Sequence, residues 1–378
     1  MKSSRIHSID ALRGLVMLIM LLDHVRERFF YHVPITDPLN INEIDTSLFF
    51  TRYLAHFCAP VFIFLTGISA WLYEHPRNSN SKRSASSFLF KRGLFLIVLE
   101  ITVINLSWFG NYNTLYLQVI WAIGICMVCL SVFVKLPRIW SGIIGLIIIL
   151  GHNALTPIQF AASEIGYSLW AILHDRGIIL DNAFLKIKAS YPVLPWIGLI
   201  LVGYYCGEIY NKNISVKKRQ QILISAGTIC LITLLVLRGL NIYGETLAWV
   251  NYGWDIKSLM SFLNFTKYPP SLDFLLITIG VSSFILSWFE DLPAKSLNIL
   301  KTFGSSPMFF YVVHLYILLI LYKIASWRFK TSEDTYWGVD YLWQIWLLTI
   351  ILACVLYFPT RQFSKFKQES TSKLIKYF

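Results

Sequence analysis

Six ionisable side chains fall inside apolar runs of this sequence: Arg13, His24, His56, Glu100, His152 and His314. A charged or polar group in hydrocarbon is costly, so each is a candidate for chemistry, with structural pairing as the alternative. Histidine suits proton transfer near neutral pH, because its ordinary pKa is about 6.5 and its surroundings move it readily. His24 follows Asp23 directly and lies one helical turn before Arg28. The stretch Arg52-Tyr53-Leu54-Ala55-His56-Phe57-Cys58-Ala59-Pro60 brings Arg52, His56 and Pro60 to one helix face. If His24 and His56 sit at the same depth in adjacent antiparallel spans, they could meet; packing or interfacial anchoring is the other reading of His56. His314 has Tyr311 one turn earlier on its face, and either a hydrogen bond across helices or a substrate contact would satisfy its imidazole. Glu100, with Asn105 five residues on, reads as a buried interhelical hydrogen bond. His152 and His174 read as interfacial. Trp196 reads as a belt residue at the membrane surface or a platform for substrate.

The element that must position His24 is the first apolar run. On a helix advancing about 100° per residue, Asp10, Arg13, Met17, Met20, His24 and Arg28 share one narrow stripe, and Asp23 sits about a quarter turn off it. Arg13 and His24 then lie on one face, roughly 16 Å apart along the axis. A spacing of three makes Asp10–Arg13 a natural ion pair within the helix. The run is too long for a cleavable leader and no small-residue cleavage site follows it, so it reads as a retained span.

The surrounding composition is that of a membrane protein. Of the 378 residues 56% are hydrophobic and only 14% charged, with the charges gathered between apolar runs. The fold expected is all-α: a polytopic helix bundle in one integral-membrane domain over residues 1–378. Ten spans are expected near 11–31, 51–73, 93–109, 117–135, 139–156, 192–210, 222–240, 271–289, 302–323 and 341–358. Loop charge gives the orientation. With the N-terminus inside, twenty of the thirty-three basic residues fall in cytoplasmic segments, and both termini are cytoplasmic. The outer connections near 32–50, 157–191 and 241–270 are long and aromatic, and Gly166–His174 reads as an interfacial helix or a re-entrant segment.

The net charge of +12 does not imply nucleic acid, because the basic residues sit in short loops and no aromatic-interleaved basic domain is present. All six cysteines lie in apolar runs and read as small hydrophobes, Cys126-x-x-Cys129 included. No zinc-spaced cluster, Walker loop, Rossmann motif or Gly-x-Ser-x-Gly occurs, no internal repeat is visible, and no metal or resident cofactor is expected.

Several segments resemble one family. Arg5-x-x-Ser8-Ile9-Asp10-Ala11-Leu12-Arg13-Gly14, followed by His24, is similar to the opening of the heparan-alpha-glucosaminide N-acetyltransferase-like membrane proteins and of related enzymes that O-acetylate bacterial surface glycans. His56–Gly67, Tyr191–Trp196 and Gly304–His314 resemble later family segments. The resemblance implies transfer of an acetyl group from cytoplasmic acetyl-CoA to a sugar or other polar acceptor at the outer face of the cell's inner membrane. It implies a catalytic histidine near the outer end of the first span or in the loop after it, which leaves His24, favoured here, and His32 as rivals. His56 is a further catalytic candidate, and Arg13, Asp10, Arg28, Arg52, Trp196, Tyr311 and His314 are candidates for binding donor or acceptor. The histidine would act as base or take the acetyl group first. Acetyl-CoA, a glycan or glycolipid and the bilayer are the expected partners; the sequence sets no oligomeric state. The competing class is a proton-coupled transporter of small solutes or lipid-linked glycans, using His24, His56, Glu100 and His314 as its path.

Overall fold

The structure is a computed structural model that describes residues 6–30, 36–77, 83–329, 337–372 and 375–378. Each of the ten expected runs overlaps helix among the described residues, the run at 302–323 crossing from Asn298–Ser305 into Pro307–Phe329. Among the described residues six helices are long and apolar enough to cross a membrane: Thr46–Glu74, Arg138–Leu155, Val216–Gly239, Leu272–Asp291, Pro307–Phe329 and Leu342–Glu369. Val119–Phe133 and Leu194–Tyr210 are apolar but shorter. The first helix, His7–Phe29, carries six charged residues, and Ser86–Leu99 continues through a π-helical turn, Glu100–Ile104, into Asn105–Phe109.

The first helix is the axis of the bundle. Fifteen of its 23 residues are buried, on all sides, which is why its polar residues need partners rather than water. Near its start it lies against Asn298–Ser305 at a glycine crossing: a Cβ on Gly14 would come within 1.8 Å of the Leu300 carbonyl oxygen. A Cβ on Gly304 would come equally close to the Asp10 carbonyl. Backbones meet here because neither side has a side chain, the small-residue contact typical of helices packed in lipid.

Among the described residues the fold departs from all-α chiefly in one small sheet. Three short strands, β1 (Thr114–Leu117), β2 (Gly177–Asp181) and β3 (Lys186–Ala189), form a sheet in the order β1-β3-β2, with β1 parallel and β2 antiparallel to β3. The Gly166–His174 segment contains a seven-residue helix, Tyr167–Leu173, that runs into this sheet. The alternation Lys186-Ile187-Lys188-Ala189 is a strand pattern only four residues long, and its partner β1 is about seventy residues away in sequence, too far for a local pattern to reveal.

Candidate active site

His24 lies on the wall of a cavity of about 650 Å³ enclosed by the bundle, within the range that holds small-molecule ligands. At one end the wall includes Arg92, Leu96 and Thr66. At the other it includes Arg176, Lys188, Lys267 and Tyr268 beneath the sheet, and exposed Arg176 marks where it opens to the surface.

The imidazole that His24 meets belongs to His314, not to His56. His24 Nδ1 lies 2.8 Å from His314 Nε2, and the rings stack with an interplanar angle of 13°. His314 Nδ1 in turn lies 2.7 Å from the Phe310 carbonyl oxygen. A carbonyl only accepts, so His314 Nδ1 carries the proton and donates it there. In the neutral ring His314 Nε2 is then an acceptor, and His24 Nδ1–H donates to it. His24 Nε2 is left with its lone pair and no protein partner among the described residues. Trp108 and Tyr311, both on the cavity wall, close edge-on around the His24 ring at 4.9 and 5.8 Å between centroids.

Asp23 is turned away from this imidazole and into an ionic network. Its Oδ1 accepts from Arg26 Nη2 and Nε at 2.7 and 3.1 Å, and its Oδ2 from Arg52 at 3.4 Å. All three residues are buried, so the carboxylate is compensated twice over. Arg52 is thereby used within the protein and is not on the cavity wall. Arg28 is on the wall, with its guanidinium over Trp108 and Tyr322 at 5.5 and 5.6 Å and a hydrogen bond to the Ser107 carbonyl at 3.1 Å.

The remaining candidates divide clearly. Arg13 pairs with Asp10 at 2.8 Å and donates to Ser69 Oγ and the Gly304 carbonyl at 3.0 and 3.4 Å; neither Asp10 nor Arg13 lines the cavity. His56 is buried against Tyr53 and Phe274, off the cavity wall, with Nδ1 unpartnered. Trp196 is fully buried, so it is neither a belt residue nor exposed to the cavity. His32 lies outside the described residues. Glu100 accepts from the amides of Ile120 and Trp121 at 3.0 and 3.1 Å, so it caps the start of Val119–Phe133. His152 and His174 are buried rather than interfacial, His174 Nε2 donating to the His152 carbonyl at 3.0 Å.

Sequence reasoning missed Trp108, Arg92, Arg176, Lys188, Lys267 and Tyr268 on the cavity wall. One signal was present: Arg176, Lys188 and Lys267 are basic residues in the outer loops, where the loop-charge rule predicts few. Tyr268 and Tyr191 bond through their hydroxyls at 3.1 Å, and burial pushes the Tyr191 hydroxyl well above the usual phenol range, so it stays protonated.

No curated protein matches this chain. The family model of the heparan-alpha-glucosaminide N-acetyltransferase catalytic domain matches residues 5–243, which contain His24 and its helix, and the chain belongs to that family of membrane acetyltransferases.

Proposed function

We propose that this protein carries an acetyl group from acetyl-CoA, entering from the cytoplasmic side, to a sugar at the outer face, with His24 as the catalytic residue. The observation that carries the reading is the ring of His24: Nδ1 is committed to His314, and Nε2 is the nitrogen left for the cavity. As an acceptor oxygen or nitrogen attacks the thioester carbonyl, Nε2 takes its proton. The C–S bond then breaks, and the proton passes to the departing thiolate as CoA is released. If transfer runs through an acetyl-imidazole, the same lone pair makes the first attack.

In this reading, which the loop charges support, the Arg92 end of the cavity faces the cytoplasm. Arg92 suits the CoA phosphates there, and it stands at the same end of the bundle as Arg13. From the level of Arg13 to that of His24 is roughly 16 Å along the helix, a distance an extended pantetheine arm covers.

The test uses purified protein in proteoliposomes with labelled acetyl-CoA. Wild type is expected to consume it, and His24→Ala to do so on the order of 10²- to 10⁴-fold more slowly while melting at an unchanged temperature. His56→Ala, a change off the cavity wall, is the comparison. An unaltered rate in His24→Ala removes that residue from the chemistry, and solute flux without acetyl-CoA consumption overturns the transferase reading.

A further inference from the structure

The end of the cavity beneath the sheet has an unusual charge. Lys267, Arg176, Lys188 and Arg28 line it, and none of the four is in an ion pair among the described residues. Lys267 is only 5% exposed, and its ammonium lies over the Tyr268 ring, 5.3 Å from the centroid. Arg176 covers the same ring at 5.5 Å. A buried ammonium without a counter-charge is expensive unless something brings one.

The local acids reach it only at a distance: Asp23, Glu27 and Asp37 each interact with the Lys267 charge, but none forms an ion pair with it among the described residues. Asp23 is held by Arg26 and Arg52. Asp37 accepts from the Lys267 backbone amide at 3.3 Å, not from its ammonium. Glu27, on the wall, pairs with Arg26 at 3.4 Å. Around this mouth, therefore, six cationic side chains stand against three carboxylates.

We propose that the acceptor is an acidic sugar, bearing a carboxylate or phosphate, which Lys267, Arg176, Lys188 and Arg28 hold at this mouth, and that it is acetylated on a hydroxyl. The inference rests on the transferase reading above and narrows its acceptor. A sugar amine is an ammonium ion at neutral pH, and a net positive mouth repels it; a hydroxyl on an anionic ring enters favourably. The paired hydroxyls of Tyr191 and Tyr268 offer the ring an amphipathic edge on the same wall. In the transfer the hydroxyl oxygen bonds to the acetyl carbon, the thioester C–S bond breaks, and the hydroxyl proton goes by way of His24 Nε2 to the CoA thiolate. The products are a sugar acetate ester and CoA.

The experiment measures binding first, on full-length wild type and on His24→Ala, so that it does not depend on turnover. The probes are methyl glucuronoside, glucose 6-phosphate, methyl glucoside and glucosamine. The two acidic probes are expected to bind roughly tenfold or more tightly than the neutral glucoside, and glucosamine most weakly. The two acidic arms distinguish a carboxylate from a phosphate. Lys267→Gln, Arg176→Gln and Lys188→Gln should each reduce the preference, while Lys267→Arg keeps it. Arg176 is exposed and Lys188 half-buried, so those variants test the mouth even if Lys267→Gln fails to fold. Equal binding of the neutral glucoside, tighter binding of glucosamine, or a preference untouched by all three Gln variants overturns the proposal without touching the transferase reading. Transfer is then read with labelled acetyl-CoA: label released by hydroxylamine marks an ester and supports O-transfer, and stable amide label overturns it. A normal charge preference with no acetyl-CoA consumption fails the transferase reading instead.

Discussion

The two ends of the first helix are built from similar residues and used differently. Each end has an Asp paired with an Arg three residues on: Asp10 with Arg13 at 2.8 Å, and Asp23 with Arg26 at 2.7 Å. Around Gly14 the helix is pressed backbone to backbone against Asn298–Ser305, and Arg13 ties down that crossing through the Gly304 carbonyl and Ser69. Ten residues later the helix faces a cavity, and the ion pair, joined by Arg52, serves to hold Asp23 away from His24. A polar stripe read from sequence is thus two things: a clamp at one end and a cavity wall at the other. What separates them is the neighbour across the gap, a glycine backbone in one case and open volume in the other.

Substitutions at three positions would break or sharpen that contrast. The largest effect belongs to the clamp. Gly14→Ala forces a Cβ within 1.8 Å of the Leu300 oxygen, and only a backbone shift relieves it, so a loss of at least about 3 kcal/mol and little extractable folded protein are expected. A normal melting temperature for this variant would mean the crossing is loose. Next comes His314→Ala, which leaves His24 Nδ1 without its acceptor and its tautomer unfixed. Acetyl transfer should fall on the order of 10²-fold with a small change in melting temperature. His314→Gln, whose amide oxygen can still accept, should recover part of it; equal rates in all three proteins would dissociate the pair from function. The smallest effect is expected from Arg13→Gln, which loses one ion pair and its hydrogen bonds at about 1–2 kcal/mol with an unchanged KM for acetyl-CoA. A marked rise in that KM would move donor contact to the clamp.

Much of the fold was legible because hydrocarbon allows few solutions. The ten apolar runs read from hydropathy overlap helices among the described residues, six of them in helices long and apolar enough to cross a membrane and one interrupted by the π turn at Glu100–Ile104. His24 stood out for the same reason, since an imidazole in such a run needs a partner, and it meets one on the cavity wall. Its partner was not: His314 is 290 residues away, and the nearer His56 looked equally placed until the helix bearing it was seen to turn its ring toward Phe274. The sheet was hidden because strands of four and five residues carry too little pattern and pair across distant loops. The mouth cations were visible individually as misplaced basic residues, but only β3 and the Lys267–Tyr268 turn bring them to one wall.

The imidazole pair has one further consequence, which concerns energy transduction. Reading inward from the cavity, the chain runs His24, His314, Phe310 carbonyl, and there it stops, because a peptide oxygen cannot pass a proton onward. The relay is therefore a cul-de-sac. A proton picked up at His24 Nε2 leaves by the nitrogen at which it arrived, so this pair can borrow and return protons within one catalytic cycle but cannot conduct them across a bilayer. In the proposed transferase the free energy would come from the thioester alone, and turnover should be indifferent to a transmembrane pH gradient.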